Sequence, residues 1–151
     1  MKISYEVVKQ SQVQKPVRAF LECQVYYNTE NGIVPSNGGI YCDALFAEIV
    51  LKPIEDYCIN YGYGFAHIGC YNPRFARDKN GQPILDKNGQ QRVSNHAFGI
   101  AIDAKGLVAL GMIIGIPQEL IDEIRSGIEK QEKKPEIVDE VRWWHIGFFQ
   151  G

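Results

Sequence analysis

The sequence predicts a single α+β domain in which a mostly antiparallel central sheet is flanked by helices. Three observations predict this class. The chain has 151 residues, of which 45% are hydrophobic and 23% are charged, as is ordinary for a globular protein with one core. Strand-like segments lie before, between and after two helical segments. No linker or change of composition divides the chain, so residues 1–151 are expected to form one domain.

The strands are predicted from apolar residues that alternate or cluster between turn residues. Four segments have this pattern: 2–8, 64–72, 99–106 and 141–149. Two further apolar segments are compatible with either a strand or a helix: 17–27 and 107–115. Residues 28–39 are rich in Asn, Gly, Ser and Pro, which predicts a loop.

Two helices are predicted from apolar residues that recur on one face. The first covers residues 43–62 and begins at Asp43, a good N-terminal cap. Pro53 should kink this helix because its ring removes an amide donor. The second covers residues 116–134, with Pro117 at its first position.

The segment between the second strand and the third contains an internal repeat. The pentapeptide DKNGQ occurs at residues 78–82 and again at residues 86–90. Each copy carries Asn-Gly, a strong turn signal, so residues 77–92 are predicted to form tight turns or a small hairpin. This excursion either flanks a functional site or forms a solvated surface loop.

Composition excludes several classes of function. A net charge of −2 and a pI near 5.9 give no basic footprint, so no nucleic-acid partner is expected. No stretch reaches the roughly 18 apolar residues of a membrane span, so no membrane partner is expected either. Residues 1–12 lack the apolar region of a secretory signal, which predicts cytoplasmic synthesis or release by another route, such as lysis. The four cysteines form no C-x-x-C pair and are expected to be reduced, mostly buried thiols. The oligomeric state is not indicated.

The stretch SNHAFGIAID, residues 94–103, places polar residues at both ends of an apolar run. His96 and Asp103 are separated by an odd number of residues, so an uninterrupted strand would point them to opposite faces. Gly99 gives the chain the freedom to bend between them. Together with His145, at the edge of the last strand, they form a set that can hold zinc and leave a position open for water.

Simpler interpretations exist for each of these residues. A lone histidine usually has no metal, and His67 is more typical of a core or rim histidine than of a ligand. The two tryptophans, Trp143 and Trp144, are more typical of core and pocket wall than of a cofactor site.

The pattern S-x-H-x-x-G-x-A-x-D resembles the signature of the zinc D-alanyl-D-alanine peptidase family. It is met by Ser94, His96, Gly99, Ala101 and Asp103. That family includes D,D-carboxypeptidases, D,D-dipeptidases and phage endolysins that cut L-alanyl-D-glutamate bonds, and its fold is shared with the hedgehog signalling domain. The resemblance covers about residues 43–149. It implies a hedgehog-like fold and a zinc metallopeptidase that hydrolyses the stem peptides of peptidoglycan in the cell wall.

The resemblance also implies roles for individual residues. The tripeptide W-W-H at residues 143–145 is similar to the family segment that carries the third zinc ligand, which would make His145 that ligand. The sequence GCYNPR is similar to a G-Y-R-S region, which implies that Arg74 binds a substrate carboxylate. Ser94, which can also orient the loop or the imidazole, and Trp144 are assigned to the same substrate-binding group.

One position departs from the family pattern. Well-characterised branches place a glutamate three residues before the last histidine, as E-x-x-H, and this position is Arg142 here. A guanidinium stays protonated and cannot act as a general base. We therefore predict that another carboxylate approaches the open zinc position, with Asp139 or Glu140 first and Asp86 second. Asp78, on the same turn-rich segment as Asp86, is a further candidate.

Two alternatives remain open at this level. The first is a catalytically impaired zinc-binding module of the same fold, which binds a cell-wall peptide or a protein partner. The second is a metal-free structural or tail-associated phage protein, for which the three ligand-type residues are coincidental.

Overall fold

The structure is a computed structural model, and it describes residues 3–7, 13–36 and 38–149. Its strands form two sheets within these ranges. In chain order the strands are β1 (Ser4–Val7), β2 (Pro16–Phe20), β3 (Val25–Thr29), β4 (Gly32–Ser36), β5 (Ile40–Asp43), β6 (Gly64–Gly69), β7 (Ala101–Ala109), β8 (Met112–Ile114), β9 (Lys134–Asp139) and β10 (Trp144–Phe149).

The larger sheet has the order β4-β3-β6-β7-β10-β9, and β8 pairs with β7 beside it. Its neighbours pair antiparallel except for β3 and β6, which are parallel. The smaller sheet has the order β1-β2-β5 and is antiparallel. The prediction of an α+β protein with a mostly antiparallel sheet is therefore confirmed. Of the strand predicted at 2–8, residues 2 and 8 lie outside the described ranges.

Both predicted helices are confirmed. The first, α1, is α-helical over Ala44–Phe46, π-helical over Ala47–Leu51 and α-helical again over Lys52–Tyr61. The second, α2, covers Gln118–Lys130. Asp43 caps α1 as predicted, because its side chain accepts a hydrogen bond from the Leu45 amide.

The effect of Pro53 on α1 and the position of Pro117 at α2 both differ in detail from the prediction. A wider π-helical turn comes directly before Pro53, where the Lys52 amide bonds to the Ala47 carbonyl five residues back. The wider turn thus accommodates the amide donor that Pro53 lacks, and the helix remains continuous. Pro117 is the extended residue just before α2 and not its first helical residue. No helix among the described residues is both long enough and apolar enough to cross a membrane.

One hydrophobic cluster joins both helices to the larger sheet. Its fully buried side chains include Phe46, Val50, Ile54, Phe65, Ile102, Leu107, Leu120, Ile124, Ile128, Ile146 and Phe148. Because side chains alternate along a strand, the residues next to Ile102 and Ile146 point away from the helices. This places Asp103 and His145 on the opposite face of the sheet.

Residues 28–39 and the end of the second helix differ from the sequence-based expectation, β5 was not predicted, and the ambiguous segments at 17–27 and 107–115 consist mainly of strands. Residues 28–39 were predicted as a loop, but they contain most of a β3–β4 hairpin. The ambiguous segment at 107–115 is a hairpin of β7 and β8. The second helix was predicted to extend to residue 134, but it ends at Lys130, and β9 follows after Glu132, which has a positive φ of 57°.

Residues 74–94 form an arm between β6 and the turn before β7. Isolated bridges join Phe75 to Val93, Arg77 to Pro83 and Leu85 to Gln91, so the arm consists of two short hairpins. The repeated DKNGQ pentapeptides form the same turn twice. In each, the Asp side chain accepts hydrogen bonds from the amides two and four residues later.

Candidate metal centre

His96 lies in a 3₁₀ turn, Asn95–Phe98, immediately before β7. The Ser94 hydroxyl caps this turn by accepting a hydrogen bond of 3.2 Å from the His96 amide. Gly99 ends it with a left-handed φ of 67°. A Cβ atom at Gly99 would lie 2.8 Å from the Asp43 backbone nitrogen, so the close approach also requires glycine. The bend predicted between His96 and Asp103 is therefore present.

Asp103 and His145 are direct cross-strand partners in β7 and β10, so their side chains lie on the same face of the sheet. Asp103 Oδ1 is 3.3 Å from His96 Nε2 and 3.4 Å from His145 Nδ1. The three atoms lie within 4.8 Å of one another. Ligands at the usual zinc distances in a tetrahedral arrangement lie about 3.3–3.5 Å apart. The group could therefore hold a metal ion.

The outer hydrogen bonds set which nitrogen of each imidazole keeps its proton in the neutral form that a metal ion would need. His96 Nδ1 lies 2.7 Å from the Cys70 carbonyl oxygen, which only accepts, so this nitrogen carries the proton. His145 Nε2 lies 2.7 Å from Glu136 Oε1 and donates to that carboxylate. The nitrogens that face Asp103 are the other two, and a neutral imidazole leaves a lone pair on each of them. Ligand histidines in metal sites commonly have such outer partners.

Glu136, on β9, is the component of the site that the sequence did not reveal. Its Oε1 also accepts a hydrogen bond of 3.1 Å from the Asn95 side chain, and its Oε2 lies 3.9 Å from Arg92. Val138 pairs with His145, so Glu136, two residues earlier, falls on the same face as the imidazole. That parity could have identified Glu136 only if β9 and its register with β10 had been known.

Burial and charge set the titration of the metal-free group. Burial raises the pKa of Asp103, but hydrogen bonds from His145 and His96 outweigh it and hold that pKa well below its usual range. Burial lowers the pKa of His145, but its hydrogen bonds to Asp103 and Glu136 raise it to about 9. The pKa of Glu136 is lowered, chiefly by His145. Without a metal, the His145 imidazole is thus charged at neutral pH. A metal ion that binds its Nδ1 must therefore displace the proton on that nitrogen.

The ligands open into a cleft of about 370 Å³ between the arm and the sheet. Its lining combines the three ligands with Ser94, Glu136 and Trp143. The charged side chains of the lining are of both signs: four cations, Arg74, Arg77, Lys79 and Arg92, and four carboxylates, Asp78, Asp103, Glu136 and Glu140. Arg74 is exposed, and its carbonyl accepts a hydrogen bond of 2.9 Å from the Ser94 amide, which fixes its position beside the ligand turn. Because cations and carboxylates are equal in number, the lining has no excess of positive side chains, and a ligand carboxylate would bind at an individual arginine.

The three predicted bases occupy different places. Glu140 lines the cleft. Asp139 does not appear in its lining, and its Oδ1 accepts a hydrogen bond of 2.8 Å from the Val141 amide. Asp86 holds the second DKNGQ turn and lines a separate cavity. Of these three, Glu140 is the one that lines the cleft. Asp78, on the first DKNGQ turn, lines it as well, but its Oδ1 accepts hydrogen bonds from the Asn80 and Gln82 amides.

The two adjacent tryptophans point in different directions. Trp144, which was assigned to substrate binding, is a strand residue that packs against the hydrophobic core. Trp143, just before the strand, lines the cleft instead. Arg142, at the E-x-x-H position, is exposed and is not among the residues that line the cleft.

Comparison of the chain with protein-family models, curated protein sequences and solved structures found no match. The fold and the site therefore define an α+β protein with a His/Asp/His group that could hold a metal ion.

Proposed function

We propose that the protein is a zinc-dependent peptidase that hydrolyses peptide bonds in the stem peptides of peptidoglycan. The observation that supports this most is the convergence of His96, Asp103 and His145 at a cleft, with both imidazoles oriented by outer hydrogen bonds. The substrate class is supported by the resemblance of residues 94–103 to the zinc D-alanyl-D-alanine peptidase signature. It is also supported by the arginines that line the cleft, each of which can bind a substrate carboxylate.

Zinc suits this group because two imidazole nitrogens, one carboxylate oxygen and an open position are a typical catalytic zinc set. When bound, the ion would polarise a scissile carbonyl and lower the pKa of a water molecule to about 7. Glu136 would keep the His145 ring in place and in the correct tautomer, because it accepts the Nε2 proton. It is therefore a positioning residue and is not the proposed base.

Substrate binding is assigned to the arginines that line the cleft. Stem peptides carry free carboxylates, and a guanidinium can bind a carboxylate through two parallel hydrogen bonds. Arg74 is the proposed partner because it is exposed, lines the cleft and is tied to Ser94. Trp143 supplies an apolar wall nearby.

Glu140 is the proposed general base. It lines the cleft, and its carboxylate has no hydrogen-bond or ion-pair partner among the residues that the structure describes. It is thus free to take up the proton of the attacking water and pass it to the leaving amine. Glu136 lacks this freedom because three side chains surround its carboxylate.

A zinc-binding module without hydrolysis is the second candidate. It is favoured by Arg142, which stands where the E-x-x-H pattern has its glutamate. Such a module would bind a cell-wall peptide or a protein partner through the same cleft.

Glutamine replacement of the two cleft glutamates tests the proposal. The unmodified protein should bind one zinc ion and release fragments from purified stem peptides. Glu140→Gln should keep its zinc and lose about 10²–10⁴-fold in turnover, as is typical for a general base. Glu136→Gln should weaken zinc affinity by about 10–100-fold and regain turnover at high zinc concentration. Zinc content and peptide cleavage are measured side by side.

Glu129→Gln, on the exposed face of α2, is the matched control and should behave like the unmodified protein. Zinc binding without cleavage of any stem peptide would overturn the peptidase proposal and leave the binding module in its place. Absence of zinc binding would overturn both.

A further inference from the structure

A cavity of about 280 Å³, separate from the metal cleft, is lined by residues of β3, β4 and β6 from the larger sheet and of β5 from the smaller sheet. Its lining includes three tyrosines, Tyr27, Tyr41 and Tyr71. The rings of Tyr41 and Tyr71 pack against each other with their centroids 4.7 Å apart. Tyr27 has an exposed fraction of 43%, so part of its ring is free to contact a ligand.

Two residues that line this cavity contain a buried polar atom without a partner. Among the described residues, three buried side-chain oxygen or nitrogen atoms lack a hydrogen bond: Tyr41 Oη, His67 Nδ1 and Glu55 Oε1. The first two belong to residues of the cavity lining. A buried polar group without a partner is costly, and in a native protein it commonly marks a place where water or a ligand binds. Two such atoms at one cavity therefore point to a bound molecule.

The lining of this cavity carries no charge among the residues that the structure describes. Besides the tyrosines, it consists of Ser36, Gly39, Ile40, His67, Gly69 and Cys70. Burial lowers the pKa of His67 to about 4, so its imidazole is neutral at neutral pH. A charged ligand would lose its hydration here without gaining a counter-charge. The chemistry of the wall thus favours an uncharged ligand.

A sugar ring is an uncharged ligand that matches these groups. Its C–H faces can pack on the flat tyrosine rings, which are apolar over their faces and polar only at the hydroxyl. Its hydroxyl groups both donate and accept, so they can pair with the Tyr41 hydroxyl and with the His67 imidazole, whichever ring nitrogen carries the proton. A purely apolar ligand would leave both atoms unpaired. Since sites for drug-sized ligands begin at about 300 Å³, this cavity suits a small ring.

The cavity lies next to the metal centre along the chain segment that follows β6. Cys70 lines the cavity, and its carbonyl oxygen is the partner of His96 Nδ1 at 2.7 Å. Tyr71 lines the cavity as well, and the next amide, that of Asn72, donates a hydrogen bond of 3.0 Å to the His96 carbonyl. Residues 70–72 thus contact the ligand turn directly and also contribute to the cavity wall.

We propose that this cavity binds an uncharged sugar ring of the glycan chain that carries the stem peptides. The identity of the glycan rests on the proposed function, whereas the preference for an uncharged sugar rests on the cavity itself. Tyr27 and Tyr71 pack against the ring, and the Tyr41 hydroxyl and His67 hydrogen-bond to its hydroxyl or acetamido groups. A stem peptide that is still attached to its sugar is then bound more tightly than the free peptide.

The test titrates the metal-free full chain with N-acetylglucosamine, followed by calorimetry and by NMR. Binding should saturate and should perturb the resonances of His67 and Tyr71. Glucosamine, whose amine is positively charged, should bind more weakly. Tyr41→Phe should weaken the binding of N-acetylglucosamine by about 2–10-fold, as expected for one hydrogen bond. Its melting temperature should not fall, because the hydroxyl that it removes has no partner in the protein.

Tyr61→Phe is the matched control, because Tyr61 is exposed on α1 and does not line the cavity. It should bind N-acetylglucosamine like the unmodified protein. Absence of saturable binding, equal affinities of Tyr41→Phe and Tyr61→Phe, or tighter binding of glucosamine would overturn the proposal.

A second measurement separates this proposal from the proposed function. Tyr41→Phe should keep its zinc and cleave free stem peptides like the unmodified protein, but its KM should rise for peptides that are still attached to their sugars. An unchanged KM for the attached peptides would overturn the sugar site and leave the peptidase proposal intact. Saturable sugar binding by a protein that cleaves no peptide would support the sugar site and contradict only the peptidase proposal.

Discussion

His67 is a buried imidazole outside the ligand group, with an exposed fraction of 6%. Its ring stacks on Phe65 at 6.0 Å between centroids and meets the edge of Tyr27 at 5.6 Å. Its Nδ1 has no hydrogen-bond partner among the described residues. Because nothing nearby compensates a positive charge, burial lowers the pKa of His67 to about 4. The ring is therefore a neutral core residue, as the sequence suggested.

This neutral histidine should make stability depend on pH. Unfolding restores its ordinary pKa of 6.5, so between pH 6.5 and about 4 the unfolded chain binds more protons than the folded one. The stabilisation is present above that window and is lost as the pH falls through it, by roughly 3 kcal/mol in total. His67→Gln should remove this part of the acid sensitivity. Urea unfolding of the unmodified protein and of His67→Gln at about pH 7 and about pH 4 measures this acid sensitivity. Parallel pH profiles for both proteins would contradict the prediction.

At the scale of elements, the sequence predicted the helices and the central strands of the larger sheet but missed β4, β5 and β9. The central strands and both helices bury apolar faces, which leaves a periodic pattern in the sequence. β4 and β9 form the two edges of the larger sheet, and each contains a proline, Pro35 and Pro135. An edge strand tolerates proline because part of its backbone pairs with nothing. The composition of β4 therefore indicated a loop, and the start of β9 was predicted as the end of a helix.

The candidate site, too, could be predicted from the sequence only in part. The three ligand-type residues could be selected from spacing and from the resemblance to a known signature. Glu136 could not, because its position depends on the register of β9 against β10. That register is set by the turn between the strands, where Val141 has a positive φ of 75°. A valine rarely adopts such a conformation, so no turn pattern in the sequence predicted it.

The 3₁₀ turn can be tested by alanine replacement of Gly99. Alanine at this position would have to adopt a left-handed backbone conformation, which is unfavourable for it. Its Cβ would also lie 2.8 Å from the Asp43 backbone nitrogen. Gly89→Ala is the matched control, because Gly89 has a φ of 78° and nothing within 4 Å of the added atom. The control should lose about 1–2 kcal/mol of stability and keep its metal affinity. Gly99→Ala should lose more and bind zinc more weakly, since His96 must shift. Denaturant unfolding and zinc titration report the two effects, and equal behaviour would contradict the assigned role.

At the scale of the whole molecule, the ligand group ties together segments that are distant in sequence. His96 precedes β7, Asp103 lies within it, and His145 comes from β10 near the end of the chain. The unfolded chain cannot present these three side chains together. A metal ion that binds them therefore binds the folded state selectively and stabilises it by mass action.

Zinc should accordingly stabilise the entire fold. At a free concentration about a thousandfold above its dissociation constant, zinc should raise the free energy of unfolding by about 4 kcal/mol. A chelator should reverse the gain, and Asp103→Asn should abolish it. Asp122→Asn, on the exposed side of α2, is the control and should respond like the unmodified protein. Thermal melting with and without zinc measures the effect, and an unchanged melting temperature would show that the group does not hold zinc.

The prolines in the two outer strands have a consequence for how copies of the chain meet. An open edge of a sheet invites a strand from another molecule, and repeated addition of strands leads to fibrils. Pro35 and Pro135 each interrupt the row of amide donors that such an incoming strand would need. β9 adds charge at one edge through Lys134, Glu136 and Asp139. The large sheet thus has a built-in barrier against edge-to-edge aggregation on both sides.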